Sequence, residues 1–243
     1  MMSITCHFSG GEEPWQLRES SVGGGIRARA LAEFIVRCHI TMQNEILKIL
    51  SDIEFGNEFD AFEGAKRLSN YKLSKGQVEA LSMITKSGKV LHNKEAATYA
   101  LAFIENSDEA IITLIDLLSS SENHELVRGQ AAEGLGIMAL SNLKFKKAVE
   151  NILLKSLKDP SPMVRFWSCY AVGQLGLKKA VFILEEIKAN DREICPNWWY
   201  VSEEAEDAIE WINGRDGKDR IPVNQRKTTE PAASQGPQGP RGL

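Results

Sequence analysis

Few residues in this chain have the types and spacing to do chemistry. Cysteine followed by histidine occurs twice, at Cys6-His7 and Cys38-His39. Two such pairs carry the donors of a tetrahedral zinc site. Neither pair stands in a CxxC framework, and Cys169 and Cys195 are solitary, so neither a metal site nor a disulfide framework is expected. Ser, His and Asp never gather at matching places, so no catalytic residue and no cofactor is assigned. The C-terminal half is richer. Phe166, Trp167 and Tyr170 fall close together, and Trp198, Trp199 and Tyr200 precede five acids, Glu203, Glu204, Glu206, Asp207 and Glu210. Aromatic anchors beside a charged rim suit the recognition of a protein partner.

The elements that must position these residues are written as a repeat. Residues 161–176 read SPMVRFWSCYAVGQLG, and an offset of 37 places them over HELVRGQAAEGLGIMA at 124–139. The same offset places VSEEAEDAIEWI at 201–212 as a further copy, and an offset of 35 adds NKEAATYALAFI at 93–104. A fixed period of this length is the signature of a solenoid. Each copy follows a second apolar helix, at 77–84, 109–118, 149–157 and 180–187. Ile111, Ile112, Leu114, Ile115 and Leu118 make one stripe at the helical period. Short breakers separate the helices, and Pro160 and Pro162 stop one and start the next. No segment alternates with period two. The expected fold is an all-α solenoid of stacked antiparallel helix pairs.

Small residues recur inside the second helices: Ala131, Ala132, Gly134 and Gly136 in one copy, Ser168, Cys169, Ala171 and Gly173 in the next. A glycine inside a helix costs roughly 1 kcal/mol against alanine. Close stacking of neighbouring helices accounts for that choice, and with no strand before GLGIM these glycines are not a nucleotide loop. Arg128 and Arg165 open their helices six residues after Glu122 and Asp159, which predicts acid–arginine pairs bracing each turn.

Net charge is −4 over 243 residues, with 43% hydrophobic and 26% charged. That balance argues against a general nucleic-acid binder, whose phosphate contacts need clustered cations. No apolar run approaches the roughly 18 residues of a membrane span. A cytoplasmic protein without a membrane or nucleic-acid partner is expected. Residues 1–41 read as a poorly defined N-terminal arm, 42–73 as capping helices, 74–214 as the repeat array, and 215–243, which lack apolar anchors, as a disordered tail.

The pattern VRxxAAxxLG, with DP before one copy, resembles the HEAT-like repeats named after phycobilisome lyases, over Leu126–Gly136, Asp159–Gly176 and Val201–Ile212. The last copy resembles the closing repeat of bacterial HEAT-repeat proteins. Deoxyhypusine hydroxylases resemble this repeat but place His-Glu pairs just after the arginine to hold iron; here those places hold Gly129-Gln130, Phe166-Trp167 and Glu203-Glu204. The sole His-Glu, His124-Glu125, comes before its arginine, so that activity is not expected. The resemblance implies a non-catalytic scaffold binding a partner protein through its concave face, lined by the second helices. The alternative it implies is a lyase or chaperone for a phycobilin-type chromophore. At the 37-residue offset the outward positions form columns: Gln130, Trp167, Glu204; Glu133, Tyr170, Asp207; Ile137, Gln174, Trp211. Phe166, Trp167, Tyr170, Glu203, Glu204 and Asp207 are therefore the expected partner-binding residues, forming an exposed aromatic and acidic patch suited to a basic partner.

Overall fold

The computed structural model describes residues 25–104, 107–138 and 144–226, with side chains described from residue 34 onward. Among these residues lie ten α-helices and no β-sheet, the expected all-α solenoid. The described residues form two units, divided between Glu45 and Ile46 inside helix α1 (Gly25–Phe55).

In the first unit the described part of the arm expected as poorly defined to residue 41 is helical, since α1 begins at Gly25. Residues 34–40 are exposed on every side. That stretch of α1 has no buried stripe and so leaves no apolar period to read, whereas Ile46, Ile49, Leu50 and Ile53 further on are buried. The Cys6-His7 pair lies outside the described residues, and Cys38 is exposed.

The second unit contains the array. After α1 come α2 (Glu58–Leu68), α3 (Lys75–Ser87), α4 (Leu91–Ala102), α5 (Asp108–Ser119), α6 (Glu125–Met138), α7 (Lys146–Ser156), α8 (Pro162–Gln174), α9 (Val181–Asn190) and α10 (Val201–Ile212). Local signals set their ends. The Asn57 side chain accepts from the Asp60 N–H, Ser74 and Gln77 form a reciprocal capping box, Ser107 accepts from the Ala110 N–H, and Pro162 opens α8. α3, α5, α7 and α9 pack on α4, α6, α8 and α10, and α2, α4, α6, α8 and α10 pack side by side in one row.

The small residues make that row possible. A Cβ added at Gly136 would stand 2.7 Å from the Ala171 Cα, and one at Gly134 would stand 2.6 Å from the Ala102 Cβ. At Gly173 it would meet the Trp211 ring at 2.7 Å and the Ala208 Cα at 2.9 Å. Close backbone approach is what the glycines supply. Ala131, Ala132, Leu135, Ala171, Val172, Ala205 and Ala208 fill the space between and are buried.

The helix-opening arginines brace the array differently from the expected local pairs. Arg128 pairs with Asp159 of the following repeat, not with Glu122. Arg165 donates to Asp191 at 2.8 Å and to Glu193, again in the following repeat, and to the carbonyl of Asp159 at 2.8 Å. The acceptors are built alike. Asp159 and Asp191 each use the other oxygen to accept a backbone N–H two residues on, from Ser161 at 2.9 Å and Glu193 at 3.0 Å. Both arginines and both aspartates are mostly buried, so each clasp ties one repeat to the next.

Candidate partner-binding site

The columns drawn from the sequence run along the row of second helices. Where that row passes through α6 and α8, Trp167 lies against the α6 backbone: a Cβ on Gly129 would stand 3.0 Å from its Cδ1. Glu133 follows Gly129 by one helical turn, so the two share a face of α6. The Trp167 ring meets the Tyr170 ring edge-on at 5.8 Å, and Tyr170 meets Trp211 at 5.8 Å and 88°. Trp167, Tyr170, Trp211 and Glu133 are all half-buried.

Glu133 accepts a hydrogen bond from the Gln130 amide, and burial raises its pKa above the ordinary value. Burial and the Glu133 carboxyl also raise the Tyr170 hydroxyl. One repeat earlier, burial and Glu58 raise Glu95. The face is therefore acidic and aromatic, and its carboxyls are partly desolvated.

The loop before α10 folds back over α8. Asn197 takes a positive φ of 66°, Cys195 and Trp199 exchange a backbone bond at 3.1 Å, and the turn projects two tryptophans. Trp198 stands edge-on to Trp167 at 5.3 Å, and Trp199 lies 5.6 Å from Phe166. The loop corrects one expected site residue at once: Phe166 is 1% exposed, packed under Trp198 and Trp199.

Glu204 is the second correction. It is 1% exposed; its Oε2 accepts from the Trp199 indole N–H at 2.8 Å, while its Oε1 has no partner. Burial pushes its pKa to about 8. Burial likewise raises the two thiols beside it, Cys195 to about 12 and Cys169 well above the ordinary value.

Asp207 is the third. It is 2% exposed because the chain after α10 covers it. Gly214, at φ 72°, takes the left-handed turn that ends α10, and Arg215 bonds back to the Glu210 carbonyl at 2.9 Å. The chain then runs back along the helix. Arg220 forks onto Asp207, Nε to Oδ2 at 2.8 Å and Nη2 to Oδ1 at 2.9 Å. Its Nη2 also donates to Glu206 at 2.9 Å, and Nη1 reaches Glu203 at 3.3 Å. Lys218 donates to Glu206 at 2.6 Å and Arg226 to Glu203 at 2.7 Å, while the Val223 N–H binds the Trp198 carbonyl at 2.9 Å. Hydrogen bonds from Lys218 and Arg220 lower Glu206 to about 2. Burial works to raise Glu203, but Arg226 and Arg220 prevail and lower it.

The tail expected to be disordered from residue 215 is thus docked as far as Arg226. Of the acids of α10 read as a patch awaiting a basic partner, Glu203, Glu206, Asp207 and Glu210 are paired with the chain's own cations, and Glu204 is buried against Trp199. Of the six expected site residues only Trp167, Tyr170 and Glu203 retain partial exposure, and Glu203 is engaged by Arg226 and Arg220. Sequence reasoning missed Glu133 as a site residue although it stood in the right column beside Tyr170, because a lone glutamate on a helix gives no signal of its own.

Comparison with known proteins supports the repeat assignment. Residues 127–209, from α6 to α10, match the family described as HEAT repeats. No curated protein matches the chain. Among solved structures it is similar to the crystal structure of an engineered protein, a target of the Northeast Structural Genomics Consortium. Identity is 19% over 69% of this chain and 78% of that chain, with a TM-score of 0.42.

Proposed function

We propose that this protein is a non-catalytic helical-repeat scaffold that binds a partner protein through the row of second helices, taken as the concave face of the array. The observation that carries the reading is the run of partly exposed rings Trp198, Trp167, Tyr170 and Trp211, in successive edge-to-face contact on α8, α10 and the loop between. Aromatic side chains presented on a rigid repeat supply large contact area at low entropic cost, the usual make-up of an energetic hot spot. Close stacking on glycine and alanine fixes their spacing before any partner arrives.

The test compares the two rows of the array. Phe182, on α9 among the first helices, is 74% exposed and serves as an aromatic control. Affinity capture from the native host, followed by mass spectrometry, should lose its specific partner with Trp167→Ala and keep it with Phe182→Ala. The opposite pattern would move the binding surface to the first-helix row.

A further inference from the structure

We infer that the α6–α8 face is a docking site for an arginine-bearing extended segment of a partner protein, with Glu133 receiving the guanidinium and Trp167 and Tyr170 flanking it. The inference rests on the scaffold reading above and names the chemistry of the partner.

The argument begins with a position the repeat writes more than once. Glu133 on α6 and Asp207 on α10 stand at the same register, two offsets of 37 apart. At α10 the structure shows what satisfies a carboxylate there: an irregular chain segment laid along the helix, delivering a guanidinium in a two-pronged fork. At α6 the equivalent carboxylate has the neutral Gln130 amide as its hydrogen-bond donor. A neutral donor compensates a desolvated carboxylate far less than a cation does.

The neighbouring helices cannot supply the cation. α6 and α8 each contain a single basic residue, Arg128 and Arg165, and both are committed to the forward clasps. α10 contains none, and Lys94 on α4 reaches back to the Lys86 carbonyl. Burial meanwhile raises the pKa of Glu133 with no opposing cation among its causes. Among the described residues, the acid is held partly out of water and given no counter-charge.

The surroundings select among cations. Trp167 lies on the α6 backbone at Gly129, one turn from Glu133, and Tyr170 is near enough to feel the Glu133 charge. A carboxylate near a phenol, on the helix face that an indole lies against, suits a planar guanidinium, which can stack and fork at once, better than a compact ammonium. The docked segment also sets the form of the ligand. Around Arg220 the chain is irregular, and it passes Trp198 through a backbone bond from Val223, so an extended segment already fits this kind of surface.

The test titrates the full chain with acetylated hexa-arginine amide and follows tryptophan fluorescence, with hexa-lysine and hexa-glutamate amides in parallel. Hexa-arginine should bind more tightly than hexa-lysine, and hexa-glutamate should not bind. Glu133→Gln should weaken hexa-arginine by about tenfold, the equivalent of 1.4 kcal/mol, whereas Glu185→Gln, an exposed carboxylate on α9, should leave it unchanged. Equal binding by the wild type and Glu133→Gln overturns the site. Equal binding of hexa-arginine and hexa-lysine overturns the choice of guanidinium. A dimer seen by light scattering and abolished by Glu133→Gln gives the face to a second copy of this chain and overturns the partner. If Trp167→Ala loses the native partner while Glu133→Gln retains it, the scaffold reading stands and the arginine chemistry falls.

Discussion

Glu133 and Asp207 share one register position, and the chain treats them in opposite ways. Over Asp207 it lays its own C-terminal segment, with Arg220 forked onto the carboxylate. At Glu133 the described hydrogen-bond donor is the Gln130 amide. The repeat therefore specifies where an outward carboxylate stands and leaves its partner to be specified elsewhere. At α10 that partner is in the same chain. In the middle of the array, among the described residues, the position has a neutral amide and no cation.

The contrast can be broken most forcefully at the closed end. Arg220→Ala removes the cation that faces Glu203, Glu206 and Asp207, of which Asp207 is almost fully buried. Breaking one side of a buried ion pair costs about 3–5 kcal/mol, and chemical denaturation should show a loss in that range. A loss under about 1 kcal/mol would mean that the segment rides on α10 without stabilising it.

Glu204 sharpens the comparison from within α10. Its folded-state pKa of about 8 lies above the ordinary 4.5, so folding favours the protonated form. The stability it contributes is complete below about pH 4.5 and is lost as pH rises to about 8. Glu204→Gln should therefore stabilise the protein at pH 8 by on the order of 3 kcal/mol and change little at pH 4.5. Two residues on, Glu206 titrates the other way: its pKa of about 2 gives stability that is present above 4.5 and lost in acid. Urea melts of Glu204→Gln across this range should flatten the alkaline side alone.

A smaller loss is expected where the row is tightest. Gly173→Ala puts a methyl against the Trp211 ring and the Ala208 backbone and should cost about 2 kcal/mol, read as a lower thermal midpoint. An unchanged midpoint would show that α8 and α10 can separate without penalty. The smallest effect belongs to the open position. Glu133→Gln should shift stability by less than about 1 kcal/mol at neutral pH, since the carboxylate is half-buried and loses no ion pair. A large destabilisation there would erase the distinction between the two ends.

How much of this was legible depended on the kind of force involved. The helices and their register could be read because the row packs on Gly134, Gly136, Ala171 and Gly173, and small residues at a fixed offset are a written pattern. The arginine clasps were legible as residues but not as pairs. Six positions back in sequence, Glu122 competed with Asp159, which is 31 positions ahead and becomes a neighbour only when repeats stack. The exposed patch failed for a related reason. Nothing in the periodicity of α8 shows that a turn at Asn197 will fold Trp198 and Trp199 onto Phe166. The docked segment left the faintest trace, because Lys218, Arg220 and Arg226 attach it by charge and apolar pattern reading looks for buried stripes.

The forward direction of the clasps gives the molecule a sense of time. Arg128 needs Asp159, and Arg165 needs Asp191, which comes 26 residues later. The acids of α10 need Arg220 in turn. On a ribosome Arg128, Arg165 and the acids of α10 each emerge before the residue that answers their charge. The acids of α10 are answered only when residues 218–226 have left the tunnel.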